Sequence, residues 1–256
     1  MKAFVVYAHP EPKSFNAALK DAALRTLKES GHEVVVSDLY AMQFKCVIDH
    51  ADFGAPVNPD FLQIPLEQEA AHDAGTTAPD IAAEQAKLLW ADLVLFQFPL
   101  WLYGQPAIMK GWCERVFSSG FAHEVKPDPA SRRWFERGAL AGKRALLSLT
   151  CAGAESAYAP EGRHGDIHRI LWPVHNALRY SGFDVLAPFI SYAVLRAGED
   201  RRQARLAELD ERLRGIEREP PLPFHRLDEY GEDHRLKSGI SPRTAGQHRL
   251  GRPEDG

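Results

Sequence analysis

His9, Lys13, Ser14 and Asn16 crowd into one short stretch. It directly follows the apolar run Ala3–Ala8, where a helical pattern begins. Donor side chains at a helix N-terminus suit a phosphate or pyrophosphate, because the free N–H groups and the helix dipole favour negative charge there. The simpler reading makes Ser14 an N-cap and His9 a surface residue. The loop has no glycine-rich dinucleotide fingerprint and no P-loop, which argues against a Rossmann dinucleotide site or an NTPase. A second stretch, Phe98-Pro99-Leu100-Trp101-Leu102-Tyr103-Gly104-Gln105-Pro106, fixes its backbone with prolines and a glycine. It offers the flat faces of Trp101 and Tyr103, which suit an isoalloxazine or a quinone ring. One or both could instead be core or subunit-interface anchors. A third stretch, Thr150-Cys151-Ala152-Gly153-Ala154, is made of small residues that let backbone N–H groups approach a planar ligand. Tyr158 and His164 follow it and could donate to, or take up, charge on a reduced ring. Capping by His164 and packing by Tyr158 are the plainer alternatives. Cys151 reads as a small buried thiol, since nothing around it marks an activated nucleophile.

These stretches need strands and helices to bring them together. Ala3–Ala8, Glu33–Val36, Leu93–Phe98, Arg144–Thr150 and Asp184–Tyr192 are short and mostly continuous apolar runs, as expected of strands covered on both faces. Helical patterns lie between them. Phe15, Leu19, Ala22, Ala23 and Leu27 mark the first, with Gly31 as its stop. Pro79-Asp80 opens a second and Pro106 sits at the N1 position of a third. A fourth spans about His164 to Tyr180, with a kink expected at Pro173. A fifth carries Leu206, Leu209, Leu213 and Ile216. The alternation predicts an α/β fold: a doubly wound, five-stranded parallel sheet with helices on both faces. In such a sheet ligands bind beyond the carboxyl ends of the strands, where all three stretches lie. Leu39–Ala78 reads as a long irregular connection, functional, interfacial or mobile. The domain is expected to span residues 1–216, with residues 217–256 a tail that is disordered or laid over a partner surface.

The 256 residues carry a formal charge of −4 and no dense Lys/Arg run, so nothing points to nucleic acid. Cys46, Cys113 and Cys151 lack metal or disulfide spacing and fit free thiols in a reducing compartment. No signal peptide or membrane span is expected, and a cytoplasmic location follows.

Longer matches then appear. They are His9 with Ser14-Phe15-Asn16, Ser37-Asp38-Leu39-Tyr40-Ala41-Met42, Pro79-Asp80-Ile81 and Gln97-Phe98-Pro99-Leu100. Lys110-Gly111-Trp112 with Glu114-Arg115-Val116-Phe117, and His164-Gly165-Asp166 with Ile170-Leu171-Trp172-Pro173, complete the series. In this order the chain resembles the NAD(P)H dehydrogenase (quinone) family of flavodoxin-like quinone reductases, from the first strand to about Ile216. The resemblance implies FAD, a homodimer with the active site at the subunit interface, and a ping-pong cycle in which NADH or NADPH gives hydride to the flavin before a quinone enters. It implies that His9, Ser14, Phe15 and Asn16 hold the diphosphate side of FAD and that Gln63 reaches the cofactor. Pro99, Leu100, Trp101, Leu102 and Tyr103, with Thr150, Cys151, Ala152 and Gly153, would frame the ring. Tyr158 and His164 match the pair that stabilises the reduced ring's charge, and Arg202 and Leu206 match positions near the adenine. The substrate would meet Trp101, Tyr103, Ala122, His123, Glu124, Val125, His164 and Tyr180.

Several places depart from the family pattern: Val125–Gly142 do not align cleanly with it, and the structural metal site of one animal branch is not visibly preserved, so no metal is expected. His123, Glu124 and Val125 stand where Tyr-x-Tyr is usual. Leu100-Trp101-Leu102-Tyr103 replaces Leu-Gln-Trp-Phe, and Thr150-Cys151-Ala152-Gly153 replaces Thr-Thr-Gly-Gly. The competing readings are an FMN-dependent azo- or nitroreductase and a flavin-bound regulatory subunit of a potassium-efflux system. The residues past Glu217 weigh against the latter.

Overall fold

A computed structural model describes residues 1–124 and 133–241. Strands β1 (Lys2–Tyr7), β2 (Glu33–Asp38), β3 (Leu93–Pro99) and β4 (Arg144–Thr150) alternate with helices α1 (Phe15–Glu29), α2 (Ile64–Ala74), α3 (Pro79–Trp90) and α4 (Ala107–Val116). Helix α5 (Ile167–Tyr180), strands β5 (Asp184–Val185) and β6 (Phe189–Ser191), and helix α6 (Glu199–Arg214) follow. The sheet is parallel in the order β2-β1-β3-β4-β5, with β6 also on β4. This is the doubly wound order whose switch point lies between β1 and β3. The last of the five sheet positions is not one strand but two. Pro188 has no N–H to give the ladder, so pairing stops after Leu186 N–H donates to Ala145 and resumes at Phe189.

Alternate side chains of each strand fill two cores. Phe4, Val6, Val94, Phe96 and Leu147 pack with Trp112 of α4 and Leu171 and Leu178 of α5. Ala3, Val5, Leu93 and Leu95 pack on Leu19 and Leu27 of α1 and Leu209 and Leu213 of α6. Each such leucine, buried fully, contributes about 1.5–3 kcal/mol. Ser14 caps α1 by accepting from Ala17 N–H at 3.2 Å, and Gly31 follows its end at φ 83°. Pro106 is the N-cap of α4 rather than its first residue, and α5 starts at Ile167 with Asp166 as its cap, three residues after His164. Helix α5 continues through Pro173.

Leu39–Ala78 holds more structure than expected: the 3₁₀ turn His50–Asp52 and helix α2. The buried positions of α2 include Glu67 and Gln68, so no apolar stripe announces it. The segment is fastened by a buried ion pair. Arg115 donates to both oxygens of Asp52, at 3.0 and 2.7 Å, and to Asp80 at 2.6 Å. Burial pushes the Asp52 carboxyl up, but Arg115 and Lys45 outweigh it and hold the group below its ordinary value. At Gly111 a Cβ would lie 2.0 Å from the Cys46 carbonyl oxygen, so the Lys110-Gly111-Trp112 motif keeps glycine for a close crossing of this segment over α4.

The described part of the segment beyond Glu217 runs along its own domain, and residues 242–256 of the expected tail lie outside the described residues. Leu222 N–H donates to Val185 at 2.7 Å, His225 is buried, and Leu227 N–H donates to Glu136 at 2.9 Å. Among the described residues no helix is long and apolar enough to cross a membrane.

Candidate active site

The loops after β1, β3 and β4 meet at the carboxyl edge of the sheet. Beneath them lies a buried polar bridge. Gln97, on β3, donates to Asn16 at 2.9 Å, and Asn16 donates in turn to Thr150 at 2.9 Å. Asn16 thus spends its amide tying β3 to β4 through the first turn of α1. Gln97 has no role predicted from the sequence, although Gln97-Phe98-Pro99-Leu100 is part of the family resemblance. Its signal was a lone polar residue in the fully buried strand Leu93–Pro99.

Over this bridge stand rings. Leu100 N–H donates to the Thr150 carbonyl at 2.9 Å and locks the β3 loop onto the β4 loop. Trp101 and Gly104 then exchange backbone hydrogen bonds at 3.0 Å each, which forces Leu102 and Tyr103 into the left-handed region at φ 46° and 62°. Two non-glycine residues in a turn that favours Asn-Gly is strained backbone, and such strain gathers at functional sites. It leaves Leu102 98 % exposed and presents Trp101 and Tyr103 half-exposed. The Trp101 ring lies 5.8 Å from His9. His9 Nδ1 lies 3.0 Å from Glu11 N and 3.3 Å from the Glu11 carbonyl oxygen, which holds the ring against the loop. The first turn of α1 beside it carries no acidic residue, so its dipole is left for an anion.

Tyr103 Oη meets His164 Nδ1 at 3.0 Å, and the Tyr158 ring packs 4.9 Å from the His164 ring. With the tyrosine hydroxyl as donor, the imidazole proton sits on Nε2. A Cβ at Gly153 would lie 3.0 Å from Tyr158 and 3.4 Å from His164 Nε2, so glycine lets both rings pack closely over the end of β4, where a side chain would make them give way. Tyr158 is buried. Burial raises its hydroxyl pKa, with Cys151 and Tyr103 adding, so at neutral pH it is a donor. Cys151 lies beneath it, its thiol pushed up to about 12 by burial. This agrees with its reading as an unreactive thiol.

Tyr103 also lines an apolar cavity of about 420 Å³ between α4 and α5, with Phe117, His123, Val174 and Tyr180 among its walls. His123 and Tyr180 pack at 4.8 Å, and Trp134 and Phe135 reach Tyr180 at 5.9 and 5.3 Å. Burial lowers the basicity of His123. Of the other proposed substrate contacts, Ala122 is fully buried in the core and Glu124 pairs with Arg133 at 3.2 Å; neither side chain lines this cavity. Val125 lies outside the described residues. Pro99 is buried under the β3 loop and Phe15 opens α1. Arg202 donates to the Val194 carbonyl at 3.5 Å, and Val194 N–H to Cys151 at 3.2 Å, so the start of α6 is linked to the end of β4. Leu206 follows one turn later. Gln63 is exposed at the N-terminus of α2, away from these loops along the chain.

Residues 1–215 match the family model described as Flavodoxin-like fold. The chain is 44 % identical to NAD(P)H dehydrogenase [quinone] 1 of Rattus norvegicus over 225 residues, 87 % of this chain and 80 % of that one. It is 43 % identical to ribosyldihydronicotinamide dehydrogenase [quinone] of Mus musculus, over 86 % of this chain and 94 % of that one. A solved structure from Klebsiella pneumoniae, assigned as a quinone reductase, superposes with a TM-score of 0.91 at 42 % identity, covering 96 % of this chain and 97 % of that chain.

Proposed function

Because this chain belongs to the flavodoxin-like NAD(P)H dehydrogenase (quinone) family, we propose that it is an FAD-dependent enzyme that transfers two electrons from NADH or NADPH to a quinone. The balance is NAD(P)H + H⁺ + quinone → NAD(P)⁺ + hydroquinone, run as two alternating half-reactions in one pocket. Bound FAD would supply the two-electron relay between donor and acceptor.

The residues fit that group. The closing of Tyr158 and His164 against Gly153 carries the reading, because it sets two proton-bearing groups at the carboxyl end of β4 beside exposed aromatic faces. His9, Ser14 and Phe15 at the start of α1 would hold the diphosphate, with Asn16 fixing the floor from below. Leu100, Trp101, Leu102 and Tyr103 would border the ring on one side, and Thr150, Cys151, Ala152 and Gly153 on the other. Arg202 and Leu206 would take the adenine end. Tyr158 and His164 would hold and return the proton that balances charge near the ring. Tyr180 and His123 would wall the acceptor.

The active unit would be a homodimer. Val47, Val57, Phe61 and Leu66 are exposed apolar residues on the same segment as Gln63. A second copy covering them would bring Gln63 to its partner's cofactor. A cytoplasmic setting would keep Cys46, Cys113 and Cys151 reduced. Acid release and identification of the flavin, with steady-state turnover of a simple benzoquinone by NADH and by NADPH, tests the proposal. FAD and turnover with at least one donor are expected. FMN, or no flavin-dependent turnover, overturns it.

A further inference from the structure

Arg179 is almost fully buried on the last turn of α5, directly before the wall residue Tyr180. A buried guanidinium must find partners. Its Cζ lies 4.3 Å from the Phe135 ring centroid and 5.6 Å from that of Phe224, and its Nη2 donates to the His225 carbonyl. Glu136 and Tyr230 face the same charge. Phe224 and His225 belong to the segment beyond the sheet domain, and Phe135 belongs to the loop before β4. The charge therefore joins three separate pieces of chain.

The other fastenings repeat this pattern. Leu222 N–H donates to the edge strand at Val185, Phe224 packs 6.0 Å from Trp172 of α5, and Leu227 N–H donates to Glu136. Phe135, clamped in this way, sits at φ 50°, a conformation that a bulky residue holds only when its surroundings impose it. Phe135 stands edge-on to Tyr180 at 5.3 Å and beside Trp134.

We propose that Leu222–Tyr230 is a strap that sets the shape of the acceptor wall: by gripping Arg179 between Phe224 and Phe135, it positions Tyr180 and His123 at the apolar cavity, with Trp134 packed on Tyr180. This rests on the quinone-reductase reading for what the cavity receives. Phe224, Arg179 and Glu136 are positioning residues that act through Tyr180. The strap adjusts which acceptor fits, leaving the strand-end groups untouched. It also gives a physical role to a segment lying outside the sheet, and a reason why a chain with His123 at the wall can still present a fixed pocket: the ring order comes from the clamp.

The test compares Phe224→Leu, which keeps apolar bulk but loses the ring face, with Phe224→Tyr, which keeps the face. Two readouts are taken: the ratio of kcat/KM for a bulky naphthoquinone to that for a simple benzoquinone, and hydrogen exchange at the Arg137 and Gly138 amides, which bond back to Trp134 and Phe135. F224L is expected to change the ratio about five-fold, the scale of one lost cation–π contact, and F224Y to restore it. Exchange at both amides should quicken in F224L and return in F224Y. Glu136→Ala, which cuts the Leu227 link, should move both readouts the same way and serves if F224L does not fold. A variant that lowers Tm but leaves the ratio and the two amides unchanged overturns the strap. Absence of turnover in the wild type counts instead against the quinone reading, and the exchange data then decide the strap alone.

Discussion

The strand-end pocket and the aromatic wall beside it are built in opposite ways. At the strand ends the groups come mostly from the segments that follow β1, β3 and β4. Backbone geometry fixes them: the Leu100–Thr150 hydrogen bond, the tight turn at Leu102-Tyr103, the bare Cα of Gly153. The wall draws His123, Trp134 and Tyr180 from distant parts of the chain and orders them by ring contacts and a buried charge. A site made by backbone tolerates almost no added atom. One made by side-chain packing can be recut for another acceptor without disturbing the first.

The contrast can be broken hardest at the helix that carries the wall. His175 is buried on the core side of α5, and burial, with His168 adding, lowers its pKa to about 4 from the ordinary 6.5. The folded state keeps it neutral while the unfolded chain protonates near 6.5. The unfolded state therefore binds more protons between those values, and stability falls as pH drops through that window. The loss should reach about 3 kcal/mol by pH 4. His175→Leu should abolish that slope in thermal unfolding followed from pH 7 to 4. Equal slopes in both proteins would show that His175 contributes nothing to it.

A smaller effect is expected at Gly153. Gly153→Val must push the Tyr158 and His164 rings aside, and a shift of about an ångström at a reacting centre costs on the order of 100-fold in kcat/KM. Tm should change little, since the loop lies at the edge of the fold. Wild-type kcat/KM in this variant would mean that the two rings need not close on β4 for turnover.

The same division decides what the sequence alone makes legible. The five sheet positions and α1, α3 and α4 follow from near-continuous apolar runs and local stop signals such as Gly31. The strand-end loops are legible for the same reason, because a loop's place is set by the strand before it. Helix α2 escapes because Glu67 and Gln68 occupy its buried side. The break between β5 and β6 turns on Pro188 alone, inside an apolar run that otherwise reads as one strand. The wall escapes most completely. Nothing near Tyr180 in sequence announces Trp134, Phe135 or Phe224, since contacts between distant segments leave no local period. Gln97 lay between: visible as one polar residue in a buried strand, but without meaning until Asn16 and Thr150 were placed beside it.

Tyr103 belongs to both regions, and the smallest predicted effect is the one that sharpens the boundary between them. Its ring lines the apolar cavity while its hydroxyl meets His164 Nδ1 at 3.0 Å. Tyr103→Phe keeps the ring and removes the hydroxyl. If the hydroxyl serves by holding the imidazole with its proton on Nε2, the variant loses about one hydrogen bond's worth of positioning. The expected result is roughly a five-fold fall in kcat with KM for the quinone unchanged. The strained turn should survive, because its backbone bonds from Trp101 to Gly104 do not involve the hydroxyl. A raised KM at constant kcat would reverse the assignment. Tyr103 would then act as part of the wall, and the line between the fixed pocket and the adjustable one would run between Tyr103 and His164 rather than through Tyr103 itself.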